Sequence, residues 1–487
     1  MAARLESLAP RIVGLMLLFY LSIQAYFYLV VPGLVPDEIV FVGRIATRVQ
    51  GNLLVQQNDL GYGALYWWLY RIASCPAAYA AWSMRLPSLA LSFSVLVAVA
   101  TARGTAVSRL LGVLLYLTFP AAWWYGKVIG PELLCTACVT WGLWCGLRER
   151  WCLAALLVGL GTGVKPNGAA AGVALSALWL GWVVRAMWGH LLFEGGQLIR
   201  LPDRNRALLF TTTGMALAGI LGLVLANPFM LLEPEAYFQS FADNHAGARP
   251  FAGALFAIVG YEWQWDIVFS GGLIRWALMP VPAGLFIVAI VLGCPFAVTL
   301  SAFGGTCALW GLFVASRAFL GWYWLPIVPL LALSAASLKP ERRVPRLLLI
   351  AAIVLNFIWQ VPFVLDGMWV RWKLGEVVAA TPAVNQCLKD KVQGRSFPVL
   401  LNCADAWIHF DLPTAGKSRS LKLLDVVNAM KTPKGIEELL AVQGSALLLI
   451  GDRVQHHQDF PIIELGQFSY EGHCGPIAVY SRSTPSP

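Results

Sequence analysis

The sequence predicts an α-helical polytopic membrane protein, with about 11 transmembrane helices and a small C-terminal extracytoplasmic α/β domain. Three observations carry that prediction. Hydrophobic residues make up 58% of the 487 and charged ones only 13%, with a mean hydropathy of +0.67; soluble domains carry about a quarter charged residues. Apolar stretches long enough for a bilayer crossing recur from Ile12 onward. Lys and Arg gather in alternate connections, the pattern that marks cytoplasmic loops. The net charge of +9 is thereby explained without a nucleic-acid partner.

The expected crossings define a transmembrane module over 1–366, with 367–487 as the soluble domain. The first, 12–32, has no small-residue cleavage site before or after it and reads as a retained anchor. A loop at about 33–85 follows, rich in polar and aromatic residues. Crossings at 86–102 and 108–126 are joined by a turn holding Arg103 and Arg109. The fourth, 131–147, ends at Arg148-Glu149-Arg150, and the fifth, 152–164, reaches Lys165-Pro166-Asn167-Gly168. The sixth and seventh, 169–187 and 207–226, flank a segment with Arg200, Arg204 and Arg206. A second long loop, about 228–272, precedes crossings at 273–292, 295–315, 318–338 and 347–365.

The clusters at 103–109, 148–150, 185–206 and 339–346 all become cytoplasmic if the N-terminus is inside. That orientation sets Asp37-Glu38, Lys127, Glu132, Lys165, the 228–272 loop and Arg317 on one, non-cytoplasmic side. In the tail, Pro398–Leu401, Ser445–Ile450 and Pro476–Tyr480 read as strands, and Thr381–Val392 and Leu421–Val442 as helices. Of the ten cysteines, Cys135, Cys138, Cys145, Cys152, Cys294 and Cys307 lie in or beside apolar runs and act as small hydrophobes. Cys135-Thr136-Ala137-Cys138 has CxxC spacing but lies inside an apolar run with no His nearby, so it does not point to a metal. A disulfide among Cys387, Cys403 and Cys474 suits an extracytoplasmic tail, with the pairing left open by sequence.

One stretch organises the rest: Val31-Pro-Gly-Leu-Val-Pro36-Asp37-Glu38, a carboxylate pair at the mouth of the first crossing. Acids there are poorly solvated and usually have a task. Set beside Glu132, Lys127, Lys165 and Arg317, they match the needs of passing a sugar from a lipid phosphate to a hydroxyl. One carboxylate accepts the attacking proton, and fixed cations stabilise the charge growing on phosphate. Each residue also has a plainer reading. Asp37-Glu38 would cap the next helix, and Glu132 after Pro131 suits a helix start. Lys127 would snorkel, and Arg317 would anchor the aromatic belt of Trp322-Tyr323-Trp324. Arg44 would pair with Glu38, and His245 would be a polar loop residue. Lys165, among small residues at a broken helix end, reads as an anion cradle. Trp67-Trp68 and Trp123-Trp124 read as interfacial belts.

The order of these features resembles the GT-C superfamily of membrane glycosyltransferases. The similar branch holds protein O-mannosyltransferases and lipid A aminoarabinose transferases. The residues carrying the likeness are Asp37-Glu38, Gly63-Ala-Leu-Tyr66-Trp67-Trp68-Leu69, Met84-Arg85-Leu86-Pro87-Ser88, Lys127-Val-Ile-Gly-Pro131-Glu132, Gly159–Lys165 and Trp322–Leu330. It covers the first two-thirds of the chain. It departs from the branch at Leu60-Gly61-Tyr62-Gly63, where a His/Lys-Pro-Pro start is usual, and in having Glu132 for the commoner Asp. The resemblance implies a polyprenyl-phosphate-linked sugar donor, an inverting transfer and no metal or other cofactor. It implies Asp37 as catalytic carboxylate with Glu38 beside it, Glu132 as second acid, and Lys165 and Arg317 as phosphate-side cations. Lys127, Arg44, Tyr66 and His245 complete the expected substrate-binding set.

The function so expected is transfer to a glycolipid or polysaccharide acceptor at the periplasmic face of a bacterial inner membrane, with protein Ser/Thr as the other acceptor. A transporter or lipid flippase is the alternative from another class, as is a non-catalytic assembly subunit. Transporters often repeat their halves and place ionisable groups at mid-membrane; here no halves repeat and the charges gather at one face.

Overall fold

The computed structural model describes residues 2–30, 63–75, 81–119, 122–123, 126, 128–193, 202–235, 237, 280–316, 325–326, 328–339, 343–393, 395, 397–403, 414–420, 446–451, 468–475 and 477–482. These fall into two compact units, the first ending at Trp369 and the second beginning at Val370. The first is built from helices: α1 (Ala2–Val30), α2 (Ala64–Ser74), α3 (Ala81–Ala100), α4 (Ala106–Leu117), α5 (Pro131–Leu147), α6 (Trp151–Val164), α7 (Ala169–Phe193), α8 (Pro202–Ala226), α9 (Pro280–Gly293), α10 (Phe296–Ser316), α11 (Val328–Ala336) and the start of α12 (Arg343–Lys391). Four stretches of the described residues are long and apolar enough to cross a membrane: Arg4–Phe27, Ser83–Ala100, Pro166–Arg185 and Leu208–Ala226. With the shorter apolar helices around them, they make this a membrane protein.

Small residues let these helices approach closely, since burial against lipid gives no hydrophobic gain and backbone packing must hold them together. Along α6 and α8, a Cβ at Gly222 would lie 2.8 Å from the Leu160 nitrogen, and one at Gly159 would strike the Gly219 backbone. A Cβ at Gly112 of α4 would lie 2.6 Å from the Ala332 carbonyl oxygen in α11. The outer face of α8 carries Phe210, 75% exposed, and Leu209, 66%, as a lipid-facing surface would. Thr140, Thr162, Thr212 and Thr306 each donate their hydroxyl to the carbonyl four residues back. A membrane helix can hold a polar side chain at little cost in this way. At the turns, Arg103 reaches the Leu147 carbonyl and Glu149, while Arg148 reaches the Thr101 carbonyl. The α3–α4 and α5–α6 connections are thus tied to each other.

Three expectations about elements change. The crossing expected at 318–338 has a turn at 325–326, and its described helix spans only Val328–Ala336. The crossing expected at 108–126 stops as helix at Leu117; the Trp123 indole N–H donates to the Leu117 carbonyl. The helices expected at 347–365 and 381–392 are one, α12, which continues through Pro382 to Lys391. In the second unit α12 ends against a five-stranded sheet: β1 (Phe397–Cys403), β2 (Thr414–Ser420), β3 (Ala446–Gly451), β4 (Ser469–Cys474) and β5 (Ile477–Arg482), in order β2-β1-β3-β5-β4. β1 pairs parallel with β2 and β3, and β5 pairs antiparallel with β3 and β4. Three strands match the apolar runs; β2 and β4 are polar (Thr414-Ala-Gly-Lys-Ser-Arg-Ser420) and gave no apolar alternation to read. Val384, Leu388 and Val392 pack on Leu447, Leu449, Ile477 and Val479. Cys387 is disulfide-bonded to Cys474 across that core. The Leu421–Val442 helix lies outside the described residues.

Candidate functional site

Four helix ends converge in the first unit, and each is shaped by its local sequence. Helix α5 starts at Gly130-Pro131-Glu132: proline at the first helical position has no N–H to leave unmet, and an acid in the first turn suits the helix dipole. Helix α6 stops at Val164 because Lys165 is extended (φ −151°, ψ 131°) and Pro166 follows. The chain then makes a 3-10 turn, Pro166–Gly168, before α7. That turn folds back tightly, since a Cβ at Gly168 would lie 2.7 Å from the Thr162 nitrogen. Gly63, ahead of α2, donates its N–H to the Val164 carbonyl at 3.0 Å. A Cβ on Gly63 would lie 2.6 Å from the Ala226 carbonyl oxygen at the end of α8. The glycine that departs from the expected proline pattern therefore pins the ends of α2, α6 and α8 together.

Glu132 and Lys165 meet here. Lys165 Nζ donates to Glu132 Oε1 at 2.6 Å, with both side chains about 95% buried. The Cys135 thiol donates to the Lys165 carbonyl at 3.9 Å, which fastens the broken end of α6 to α5. Two residues after Lys165 is Asn167, 9% exposed; Thr136 is fully buried one turn along α5 from Glu132, and Asn227, 1% exposed, follows the end of α8. Unlike Thr140, Thr162, Thr212 and Thr306, Thr136 does not bond its hydroxyl to a carbonyl of its own helix; neither it nor the Asn167 amide nitrogen has a partner among the described residues. An ion pair taken out of water gains little net stability, yet losing one partner costs about 3–5 kcal/mol. Such pairs persist in membrane helices mainly where function needs a charge.

The segment leading into Glu132 is held by buried hydroxyls. Tyr20 of α1 donates to the Ala122 carbonyl at 2.8 Å and shares a hydrogen bond with Ser92 of α3. Gln24 donates to the Trp123 carbonyl at 3.0 Å. Ser88 of α3 donates to the Val128 carbonyl at 2.9 Å and bonds the Tyr70 hydroxyl at 2.6 Å. Arg85, one turn before Ser88 on α3, is fully buried.

Two solved structures are similar to the chain. They are ArnT from Cupriavidus metallidurans in the apo state, at 14% identity and TM-score 0.48, and the same protein bound to undecaprenyl phosphate, at 15% and 0.49. The first match covers 96% of this chain and 99% of that one, the second 97% and 99%. No family model and no curated protein matches the chain.

Of the expected site residues, Glu132, Lys165 and Tyr66 are described, and the first two are brought into contact across 33 positions of sequence. Tyr66 is fully buried, its ring 4.5 Å from that of Trp67 and 5.6 Å from that of Tyr70. Trp67 is 5% exposed, so it is packed inside rather than set in a belt, whereas Trp68 is exposed. Trp123 leans on Tyr20 and Phe19 and is only partly exposed. Asp37, Glu38, Arg44, Lys127, His245 and Arg317 lie outside the described residues. Sequence reading did not assign Arg85, Gln24, Tyr20 or Asn167. Arg85 and Asn167 stood inside motifs already singled out. Tyr20 and Gln24, four apart on α1, were hidden because a tyrosine and a glutamine in an apolar helix carry no signal of their own. Among the described residues no three His, Cys, Asp or Glu side chains gather as metal ligands.

Proposed function

We propose that the chain is an inverting GT-C glycosyltransferase with about eleven crossings, moving a monosaccharide from a polyprenyl-phosphate donor to an envelope glycolipid or polysaccharide hydroxyl. The observation that carries this reading is the buried Glu132–Lys165 pair at the break between α6 and α7. It keeps a cation dry and fixed at a helix end, where a phosphate can meet it. In the reaction proposed, the acceptor oxygen attacks the anomeric carbon and its proton passes to Asp37. The bond from that carbon to the phosphate oxygen breaks, and polyprenyl phosphate leaves with the charge. Lys165 neutralises part of that charge, and the low polarity around it strengthens the attraction. Arg317, Lys127 and Arg44 are proposed as further cations, Glu38 as the neighbour of Asp37, and Tyr66 and His245 as substrate contacts. Glu132 holds Lys165 in place. No metal or other cofactor takes part in this scheme.

The site faces outward in this reading, with the N-terminus cytoplasmic and the C-terminal unit in the periplasm of a bacterial inner membrane. Two things support it: the Lys/Arg clusters at 103–109, 148–150, 185–206 and 339–346, and the Cys387–Cys474 disulfide, which suits an oxidising compartment. The test is sugar transfer in proteoliposomes. Asp37→Asn should abolish turnover while donor binding and folding persist; transfer at the wild-type rate would sink the mechanism. A transporter would instead move the lipid without consuming the sugar bond.

A further inference from the structure

Lys165 is not the whole of the phosphate subsite: we infer that the side-chain amide of Asn167 is its second donor. This rests on the reading of Lys165 as the phosphate-side cation. Lys165 and Asn167 sit two positions apart on one tight turn, and both are at least nine-tenths buried. Lys165 is already engaged by Glu132. The Asn167 amide nitrogen, by contrast, meets no acceptor among the described residues.

An asparagine at this place has no evident structural duty. Its turn is closed by backbone bonds, the Lys165 N–H to the Gly161 carbonyl and the Gly168 N–H to the Lys165 carbonyl. It is pressed down by Gly168, where no side chain would fit. A buried donor left unmet lowers stability, and one apolar side chain of like volume would remove the loss. A phosphate oxygen beside the Lys165 ammonium is an acceptor of the needed strength, because hydrogen bonds to a charged group are the strong ones. A phosphate monoester on a lipid also presents more oxygens than one ammonium can satisfy. The ligand class is therefore a phosphate anion held by one ammonium and one amide.

The inference predicts opposite signs for affinity and stability. Full-length protein in detergent is titrated with undecaprenyl phosphate, with undecaprenol as the uncharged control, and its thermal unfolding is followed without ligand. Asn167→Leu should weaken undecaprenyl phosphate binding roughly tenfold or more, leave undecaprenol binding unchanged, and melt at or above the wild-type temperature. Asn167→Asp, which sets a like charge beside the anion, should weaken binding further. Unchanged affinity in both variants would overturn the inference while leaving Lys165 as the cation. Lower melting in Asn167→Leu and Asn167→Ala together with lost affinity would also overturn it, since the amide would then be structural. If the wild-type protein binds undecaprenyl phosphate no better than undecaprenol, the proposed function falls and this inference with it.

Discussion

Glu132 and Lys165 show how a residue-scale contact can be at once weak as cement and costly to break. Replacing either alone removes one half of an ion pair whose two side chains are about 95% buried. Glu132→Ala and Lys165→Ala should each lower stability by about 3–5 kcal/mol. A double change to neutral residues of similar volume, Glu132→Gln with Lys165→Met, should recover most of that in a thermal melt and recover no activity. A double variant as unstable as either single would mean that the pair contributes packing rather than charge balance. In the second unit Glu471 offers a pH handle. The Ser481 hydroxyl, then the Arg395 guanidinium at 2.6 Å, hold its carboxyl below the usual carboxylate range. A lowered value in the folded state means that the contribution is full above the unfolded value of about 4.3 and is lost as pH falls through the folded one. The melting difference between wild type and Glu471→Gln should therefore be largest near neutrality and vanish in acid. A difference that does not vary with pH would assign the effect to shape alone. The two ends of the buried pair were legible in sequence, because an acid after proline and a lysine before proline both stand out in apolar surroundings. Their contact was not legible, since nothing in a helix pattern gives the angle at which α5 and α6 face each other.

At the scale of elements, glycine spacing decides which helices can touch. Gly63→Ala places a methyl 2.6 Å from the Ala226 carbonyl oxygen and closer still to that of Gly163. Backbone on both sides leaves little room to yield, so overpacking should cost about 1–3 kcal/mol. It should also raise the donor KM by shifting the end of α6 that carries Lys165; a fully active, stable Gly63→Ala would show that the helix ends move freely. Gly14, with nothing near its Cβ position, is the control that should tolerate the same change. The boundaries of α5 and α6 were legible almost to the residue, because Pro131 and Pro166 and the charged turn at 148–150 punctuate them. The end of α4 was not, for 118–126 is as apolar as a helix would be. The chain beyond it is held by side chains of distant elements: Tyr20 and Gln24 donate to the Ala122 and Trp123 carbonyls, and Ser88 to that of Val128.

For the molecule as a whole, the tail's disulfide and the charge clusters make a joint prediction. Cysteines introduced at Ala383, exposed on α12, and at Arg150, exposed at the α5–α6 turn, should label with an impermeant thiol reagent from opposite sides of the membrane, the first from outside. Labelling of both from one side would refute the proposed topology. Removing the Cys387–Cys474 link, which closes an 87-residue separation, should cost the second unit about 4–5 kcal/mol in the chain-entropy account, read as an earlier unfolding step in Cys387→Ser with Cys474→Ser. The parallel β1–β2 pairing escaped sequence reading because a polar edge strand looks like loop. Membrane character and the helices α5 to α8 did not escape it, being fixed by the bilayer's demand for apolar runs.

The turn 148–150 makes α5 and α6 a hairpin with Glu132 and Lys165 at its two far tips. If the tips end up outside, both charges have to traverse oil during biogenesis. Joined, they travel as one near-neutral dipole instead of two bare ions, so each serves as the other's passport. An insertion assay on the isolated hairpin should then find the paired form entering more readily than versions that keep only one of the two charges.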